Sequence, residues 1–330
     1  MSSSKQPLTW KKAFFSSPGP DNLREVLSLL LKGLCMGSAD IIPGVSGGTI
    51  ALIAGIYQKL MQAIQSFNSR TIAHLFRFQW KEALSTVHLR FLLTLFGGIV
   101  IAIVSIARIM NYLLHEQAIL TWSLFFGLIL ASILILGRNI KHWMGLEGLS
   151  LLVGALAAYF LVGVIPVETP ESLWFILLSG MIAICAMILP GISGAFILLI
   201  LGKYEFVTNA IKHPFSLENM AVILVFCVGC LFGLLSFSRV LSFFLDRYQA
   251  ITLALLTGLM CGSMRKVWPW KEVLESKVIR GKVHVLRESN ILPSVFDTQL
   301  LLAICLMGIG FLLILFMERQ ANTQGSGIRH

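Results

Sequence analysis

Two arginines lie within long apolar stretches of the sequence, where a charged side chain is costly. Arg108 follows Ser105 by three residues, and Arg239 follows Ser236 at the same spacing. This spacing puts each serine and arginine on one face of a helix, and the planar guanidinium matches the geometry of a phosphate or carboxylate. We therefore predict that these four residues bind an anion. The alternative is that each arginine reaches the lipid headgroups from near its helix end.

Two other apolar stretches, 29–60 and 173–201, are each interrupted by a Pro-Gly-x-Ser-Gly sequence. Proline removes a backbone donor and glycine permits conformations that other residues resist, so each interruption predicts a turn between two helices. Serine or threonine just after the turn can cap the second helix. The residues predicted to form the turns are Pro43, Gly44, Pro190 and Gly191.

We call residues 40–49 the first break and residues 187–196 the second break. A turn at membrane depth survives only where it faces protein or a wet cavity, and a helix starting there points its positive end at that cavity. Two breaks in matching positions indicate a transporter's substrate site, whereas the alternative is an ordinary proline kink with glycines for close packing. The residues predicted to bind the anion are Ser46, Gly47, Gly48 and Thr49 in the first break and Ser193 and Gly194 in the second.

The first break carries one acidic residue, Asp40, whose counterpart in the second break is Met187. Three roles are open for Asp40: it could carry a proton or cation for coupling, cap a helix end, or pair with an arginine. Lys203 and Glu205, at the end of the second apolar stretch, are expected at a membrane interface, and the alternative is that they guard the substrate site.

The composition indicates an integral membrane protein. Of the 330 residues, 56% are hydrophobic and 13% are charged, whereas soluble domains carry roughly 25% charged residues. Apolar runs near membrane-spanning length occur at 91–114, 119–136, 149–165, 221–245, 251–264 and 300–317. We therefore predict an all-α polytopic membrane protein.

The remaining composition argues against several other classes of protein. The net charge is +10, but the lysines and arginines fall mostly in loops, where they contact headgroups, so we expect no nucleic-acid partner. All six cysteines fall in apolar segments, which argues against a disulfide framework or a metal site. No Walker, HExxH or GxSxG motif occurs, so we predict neither an enzyme nor a cofactor.

The sequence contains two copies of one unit. At a separation of 147 residues Pro43 matches Pro190 and Ser46 matches Ser193, and at a separation of 131 Gly98 matches Gly229. The last apolar runs of the two copies align only loosely. Each copy is predicted to hold one re-entrant broken-helix hairpin and three spans, and because three is odd the two repeats should be inverted.

We predict the following boundaries: a polar cytoplasmic N-terminal segment at 1–27, the first repeat with two spans at 28–147, its third span and a linker at 148–170, the second repeat at 171–317, and a polar tail at 318–330. The positive-inside rule puts the N-terminus and the loops 66–90 and 138–147 in the cytoplasm. The loop 265–298 disagrees, because it is rich in lysine and arginine but is predicted outside. Either this loop is a functional basic surface or one break crosses the membrane.

The stretch GSADIIPGVSGGTIALIAGIYQKL, with its later echo LPGISGAFILLILGKYE, resembles the polyprenyl phosphate transporter (PopT) family. The resemblance covers roughly residues 25–317. It implies a multi-pass protein of the bacterial inner membrane that returns undecaprenyl phosphate from the outer to the inner leaflet for peptidoglycan and other envelope polymers. The second motif lacks the acid, the second glycine and the threonine of the first, so the two copies need not bind equally.

The function expected from these features is a flippase that binds a polyprenyl phosphate lipid among membrane lipids and works by alternating access. A secondary transporter of a small soluble anion could use the same helix ends. A membrane-embedded enzyme would need a base and nucleophile or a metal cluster at the motif, and a scaffold would not need two intramembrane arginines. A homo-oligomer is left open.

Overall fold

The computed structural model of the protein describes residues 9–41, 46–138, 140, 145–164, 167, 169–279, 282–293 and 296–326. The helices of the first half are α1 (Trp10–Ser16), α2 (Leu23–Asp40), α3 (Gly47–Ile53), α4 (Tyr57–Gln65), α5 (Ser69–Phe76), α6 (Trp80–Thr86), α7 (Leu89–Glu116), α8 (Ala118–Arg138) and α9 (Leu146–Val162). The second half contains α10 (Leu173–Ile188), α11 (Gly194–Ile200), α12 (Tyr204–Lys212), α13 (Leu217–Arg247), α14 (Gln249–Val267), strands β1 (Lys271–Ile279) and β2 (Lys282–Asn290), and α15 (Thr298–Ser326).

Within the described part of the chain, five helices are long and apolar enough to cross a membrane. They are α7, α8, α13, α14 and α15. Helix α9 is apolar but shorter, with 17 residues. Because most of the other described elements are helices too, the predicted all-α polytopic membrane protein is confirmed.

The elements of the first half recur in the second half. Helices α3 and α11 each have seven residues and begin 147 positions apart, at Gly47 and Gly194. Helices α4 and α12 each have nine residues and begin at the same separation, at Tyr57 and Tyr204. Helices α8 and α14 begin 131 positions apart. The duplication seen in the sequence motifs therefore extends to the secondary structure.

The first helix of each broken stretch packs along the long helix that follows it. Helix α2 lies against α7, and α10 lies against α13. A side chain at Gly98 would meet the carbonyl oxygen of Leu30, and one at Gly229 would meet that of Leu177, the corresponding pair in the second half. Glycine at both contacts lets the helix backbones approach closely.

The last helices of the two halves are exchanged. Helix α9 packs along α14, and α15 packs along α8. Gly258 of α14 faces the carbonyl oxygen of Leu151 in α9, and Gly127 of α8 faces that of Met307 in α15. Leu151 and Met307 are 156 positions apart, a separation that differs from both separations found in the sequence. Each half is thus completed by a helix of the other half.

A sharp bend follows the short helix of each broken stretch. Gly55 and Gly202, which correspond to each other, have φ angles of +69° and +62°. The next amide closes the helix end in both copies: that of Ile56 donates to the carbonyl of Ala51 at 3.0 Å, and that of Lys203 donates to the carbonyl of Leu198 at 2.8 Å. This arrangement needs a left-handed residue, which glycine supplies. The angle between α11 and α12 is 112°.

The segment between α14 and α15 forms an antiparallel two-stranded hairpin, an addition to the helical architecture. The indole Nε1 of Trp268 donates to the carbonyl of Ile291 at 2.8 Å. The Asn290 side-chain amide donates to the carbonyl of Arg265 at 2.9 Å. These two bonds fix the base of the hairpin to the end of α14.

Candidate functional site

The two breaks meet each other inside the helical bundle. The Ser46 hydroxyl donates to the carbonyl of Met187 at 3.0 Å. The Gly191 amide donates to the Thr49 hydroxyl oxygen at 2.9 Å. Beyond the short helix α3, the Tyr57 hydroxyl donates to the carbonyl of Ile188 at 2.9 Å. Side chains of the first half therefore satisfy backbone groups of the second break.

The start of α3 in the first break is capped by the chain's own side chains. Asp40 Oδ1 accepts a hydrogen bond from the Gly47 amide at 2.7 Å. The Ser46 Oγ accepts one from the Gly48 amide at 3.1 Å. Of the three roles open for Asp40, the geometry gives helix capping, which the positive end of the helix favours. The position where we expected an external anion to meet Gly47 is taken by the carboxyl group of Asp40.

The start of α11 in the second break has no side-chain cap. Ser193 is the first residue before the helix, but its side chain makes no capping hydrogen bond. Met187 occupies the position of Asp40, so a thioether replaces the carboxyl group. Gly191 has a φ angle of +86°, as expected of a residue that forms the turn, and Pro190 is buried beside it. Both breaks lead from a serine into a seven-residue helix, but only the first has a carboxyl group at the start of that helix.

The two breaks also differ in how tightly they are packed. A side chain at Gly48 would run into the carbonyl oxygen of Ile188 in the second break. The corresponding residue of the second break, Ala195, is exposed. Gly48 of the first break therefore packs directly against the backbone of the second break, whereas Ala195 at the start of α11 is exposed.

The described hydrogen bonds of the predicted serines and of Arg239 lie away from the two breaks. The hydroxyl of Ser105 donates to the carbonyl of Ile101, and that of Ser236 donates to the carbonyl of Phe232, so each is used within its own helix. The guanidinium of Arg239 is exposed. It donates to the carbonyl of Leu235 at 2.7 Å and to that of Phe67 at 3.4 Å.

Three of the predicted positions lie partly or wholly outside the described structure. The side chain of Arg108 on α7 is not among the described side chains. Pro43 and Gly44, predicted to form the first turn, fall in the gap between residues 41 and 46. Their roles stay predictions.

Sequence reasoning missed a lysine beside the second break. The ammonium of Lys266, near the end of α14, lies 5.4 Å from the centre of the Phe196 ring. Phe196 is the third residue of α11, so this cation is close to the start of that helix. The repeat comparison could not identify Lys266, because its matched positions end at Ser263; the excess positive charge of 265–298 was the only available signal.

The structure buries Lys203, which was expected at a membrane interface, against other parts of the protein. Its side chain is only 2% exposed, and Nζ donates to the carbonyl of Thr169 at 2.7 Å. The ammonium also lies 5.8 Å from the Phe175 ring centre. Lys203 therefore ties the segment between the halves to the bend after α11.

Comparison with known proteins gives consistent results. A polyprenyl-phosphate transporter of Vibrio cholerae is 44% identical over 308 residues, which cover 90% of this chain and 97% of that protein. A polyprenyl-phosphate transporter of Staphylococcus aureus is 32% identical over 256 residues, which cover 73% of this chain and 85% of that protein. No solved structure matches the chain. A model of the undecaprenyl phosphate translocase-like family matches residues 36–283, so the chain is a member of that family.

Proposed function

We propose that this protein carries polyprenyl phosphate across the bacterial inner membrane, so that the lipid carrier is recycled for the synthesis of cell-envelope polymers. The names of its two bacterial relatives and of its family support this substrate. The protein would act as a carrier and would not change its substrate chemically.

The observation that carries the proposal is the meeting of the two breaks. Ser46 and Met187, 141 positions apart, are joined by a hydrogen bond, and Ser46 is buried. Non-helical backbone within a membrane is tolerated where it is buried in protein or lines a binding cavity. In this proposal the breaks hold the phosphate near the middle of the membrane. Of the residues predicted to bind the anion, Arg108, Arg239, Ser193 and Gly194 are the ones proposed to hold the phosphate. The amides of Gly47 and Gly48 are already bonded to Asp40 and Ser46, and the hydroxyls of Ser105 and Ser236 bond within their own helices.

The unequal breaks suggest unequal roles in binding. The carboxyl group of Asp40 already accepts the amide at the start of α3. An incoming phosphate would be repelled by an ionised Asp40 and would meet no such group at Met187. We therefore propose that the phosphate lies nearer the second break, and that any coupled proton or cation would act at Asp40.

We further propose that the two repeats are inverted and that the carrier works by alternating access. The ammonium of Lys271, four residues after the end of α14, lies 4.8 Å from the ring centre of Trp122 near the start of α8. Helices α8 and α14 correspond in the two repeats, and the end of one lies beside the start of the other. Opposite directions of corresponding helices are what an inverted repeat requires.

The proposal is tested with the full-length protein in proteoliposomes that contain a fluorescent short-chain polyprenyl phosphate. The wild type should speed the exchange of this lipid between leaflets. Arg108→Ala and Arg239→Ala should each slow it about tenfold, because a hydrogen bond to a charged group contributes about 1.5–3 kcal/mol.

Arg247→Ala is the matched control, since Arg247 is an exposed residue at the end of the same helix as Arg239. Normal exchange in both test variants would remove the phosphate-binding role of the arginines. Absence of exchange by the wild type would overturn the function itself. Uptake of soluble phosphate into the vesicles, with no exchange of lipid, would identify a carrier of small anions instead.

A further inference from the structure

A cluster of opposite charges lies where the hairpin meets the end of α14. Glu288 on β2 accepts from two lysines: its Oε2 lies 3.4 Å from Lys266 Nζ and 3.2 Å from Lys271 Nζ. Lys271 Nζ also donates to the backbone carbonyl of Lys266 at 2.7 Å. One carboxylate is thus shared by two ammonium groups, which we call the lysine pair.

The lysine pair is largely removed from water. The exposed fractions of the side chains are 25% for Lys266, 12% for Lys271 and 28% for Glu288. Both ammonium groups lie near aromatic rings: Lys271 is 4.8 Å from the centre of the Trp122 ring, and Lys266 lies beside Phe196. Partial burial strengthens the interaction of each charge with an anion compared with water.

Positive charge exceeds negative charge at this position. Two ammonium groups face one carboxylate, while the guanidinium of Arg265, the residue before Lys266 on α14, turns to α9 and lies 4.5 Å from the centre of the Tyr159 ring. Burial alone would raise the pKa of Glu288, but Lys271 and Lys266 hold that pKa below its usual value, so the carboxylate is ionised at neutral pH. Burial lowers the pKa of Lys271, and Glu288 opposes that effect. A single carboxylate therefore neutralises only part of the local charge.

The cluster is next to the proposed substrate site. Lys266 is at the ring of Phe196, and Phe196 is one helical turn from Ser193. Gly191 of the second break packs against Met260 and Ser263, which precede Lys266 on α14. The same helix thus contacts the second break and carries Lys266 beside it, while Lys271 begins the adjoining strand β1.

We propose that the lysine pair is a phosphate-binding point at the mouth of the second break, and that Glu288 is a built-in counter-ion which an incoming lipid phosphate displaces. The proposal rests on the function proposed above and adds specific residues and a competing group to it. Glu288 neutralises part of the charge of the lysine pair when no substrate is bound. A phosphate monoester carries more charge and more acceptor oxygens than one carboxylate, so it can engage both ammonium groups.

The alternative is that these ion pairs only fasten the hairpin to the bundle. The two roles predict different effects of Lys271→Gln and Glu288→Gln on phosphate binding. If the cluster is only a fastener, removal of any member weakens the same contact, so Lys271→Gln and Glu288→Gln should act alike. If Glu288 competes with the phosphate, Lys271→Gln should weaken phosphate binding and Glu288→Gln should strengthen it.

The test measures equilibrium binding of radiolabelled farnesyl phosphate to the full-length protein in nanodiscs. We expect Lys266→Gln and Lys271→Gln each to raise the Kd about tenfold. Glu288→Gln should lower the Kd about threefold, since it removes a partly exposed competitor. Glu272→Gln on β1 and Lys212→Gln on α12, both exposed, are the matched controls and should leave the Kd unchanged.

Three further ligands identify the source of the phosphate. Unlabelled farnesyl phosphate should compete fully, whereas farnesol, inorganic phosphate and phosphatidylglycerol should compete weakly. Equal competition by phosphatidylglycerol would mean that the lysine pair binds ordinary lipid headgroups, and this would overturn the assignment to the substrate. Hydrogen exchange of the hairpin amides in each variant reports separately on whether the hairpin stays attached.

The outcomes separate this inference from the proposed function. If the wild type prefers farnesyl phosphate to farnesol but the lysine and glutamate variants shift the Kd in the same direction, or not at all, only the present inference fails. If the wild type binds farnesol as tightly as farnesyl phosphate, the proposed function fails and the inference fails with it.

Discussion

The first and second breaks lead into helices of the same length, but different side chains lie at the starts of those helices. Both begin a seven-residue helix after a serine, and both helices end at a left-handed glycine. In the first break Asp40 and Ser46 accept the amides at the helix start. In the second break Met187 replaces the acid, and Lys266 approaches from another helix. The comparison teaches that duplication preserved the short helix and the glycine that ends it, while the charge at the two helix starts diverged.

The largest effect should come from filling the contact between the breaks. Gly48→Val would force a side chain against the backbone carbonyl of Ile188, and overpacking of this kind costs about 1–3 kcal/mol. We expect a lower thermal midpoint in detergent and loss of lipid exchange in proteoliposomes. The corresponding change in the second break, Ala195→Val, should be close to neutral because Ala195 is exposed. Equal damage from both changes would contradict the difference in packing.

The next effect concerns the charge that distinguishes the breaks. Asp40→Ala leaves the Gly47 amide without its acceptor, and an unsatisfied buried donor costs about 1–3 kcal/mol. Asp40→Asn keeps an oxygen at this place and should recover most of that stability, as measured by chemical unfolding. If the stable asparagine variant exchanges lipid normally, Asp40 is only a cap. If it is inactive, Asp40 takes part in coupling.

A smaller effect is expected at the two corresponding tyrosines. The hydroxyl of Tyr57 is buried and donates to the carbonyl of Ile188, whereas Tyr204 is 41% exposed. Tyr57→Phe should lower the free energy of unfolding by about 0.5–1.5 kcal/mol. Tyr204→Phe should leave it unchanged. A lower free energy of unfolding for Tyr204→Phe, together with an unchanged one for Tyr57→Phe, would contradict this difference between the two tyrosines.

The smallest effect should follow loss of the two serines near the arginines. The hydroxyls of Ser105 and Ser236 donate to carbonyls of their own helices. Ser105→Ala and Ser236→Ala should each change stability by less than about 0.5 kcal/mol. Lipid exchange should stay within about twofold of the wild type. A tenfold loss in either variant would show that the serine contributes directly to binding.

Much of the architecture could be predicted from the sequence because local chemistry determines it. Each Pro-Gly pair falls between two helices of a broken apolar stretch, and the apolar runs of spanning length correspond to helices. The asymmetry at Asp40 was also visible, because its counterpart is Met187. These inferences need only residue type and spacing along one stretch of chain.

Contacts between distant segments could not be predicted in the same way. The bond from Ser46 to Met187 joins residues 141 positions apart, and neither residue type identifies the other as its partner. The packing of Gly127 against Met307 was hidden because the last apolar runs align weakly. Lys266 beside Phe196 has no counterpart in the other copy. Such pairs depend on how helices are arranged in space.

The exchange of α9 and α15 has a consequence for the order of events during synthesis. Helix α9 is made before α10, but it packs along α14, which begins at Gln249 and leaves the ribosome far later. Until then α9 is in the bilayer without its final neighbour, and α8 waits still longer for α15. Until α14 and α15 are made, the faces of α9 and α8 that will pack against them contact the insertion machinery or lipid instead. A chain cut short before α14 would therefore present an unfinished surface to membrane proteases, so quality control can distinguish partial chains from complete ones.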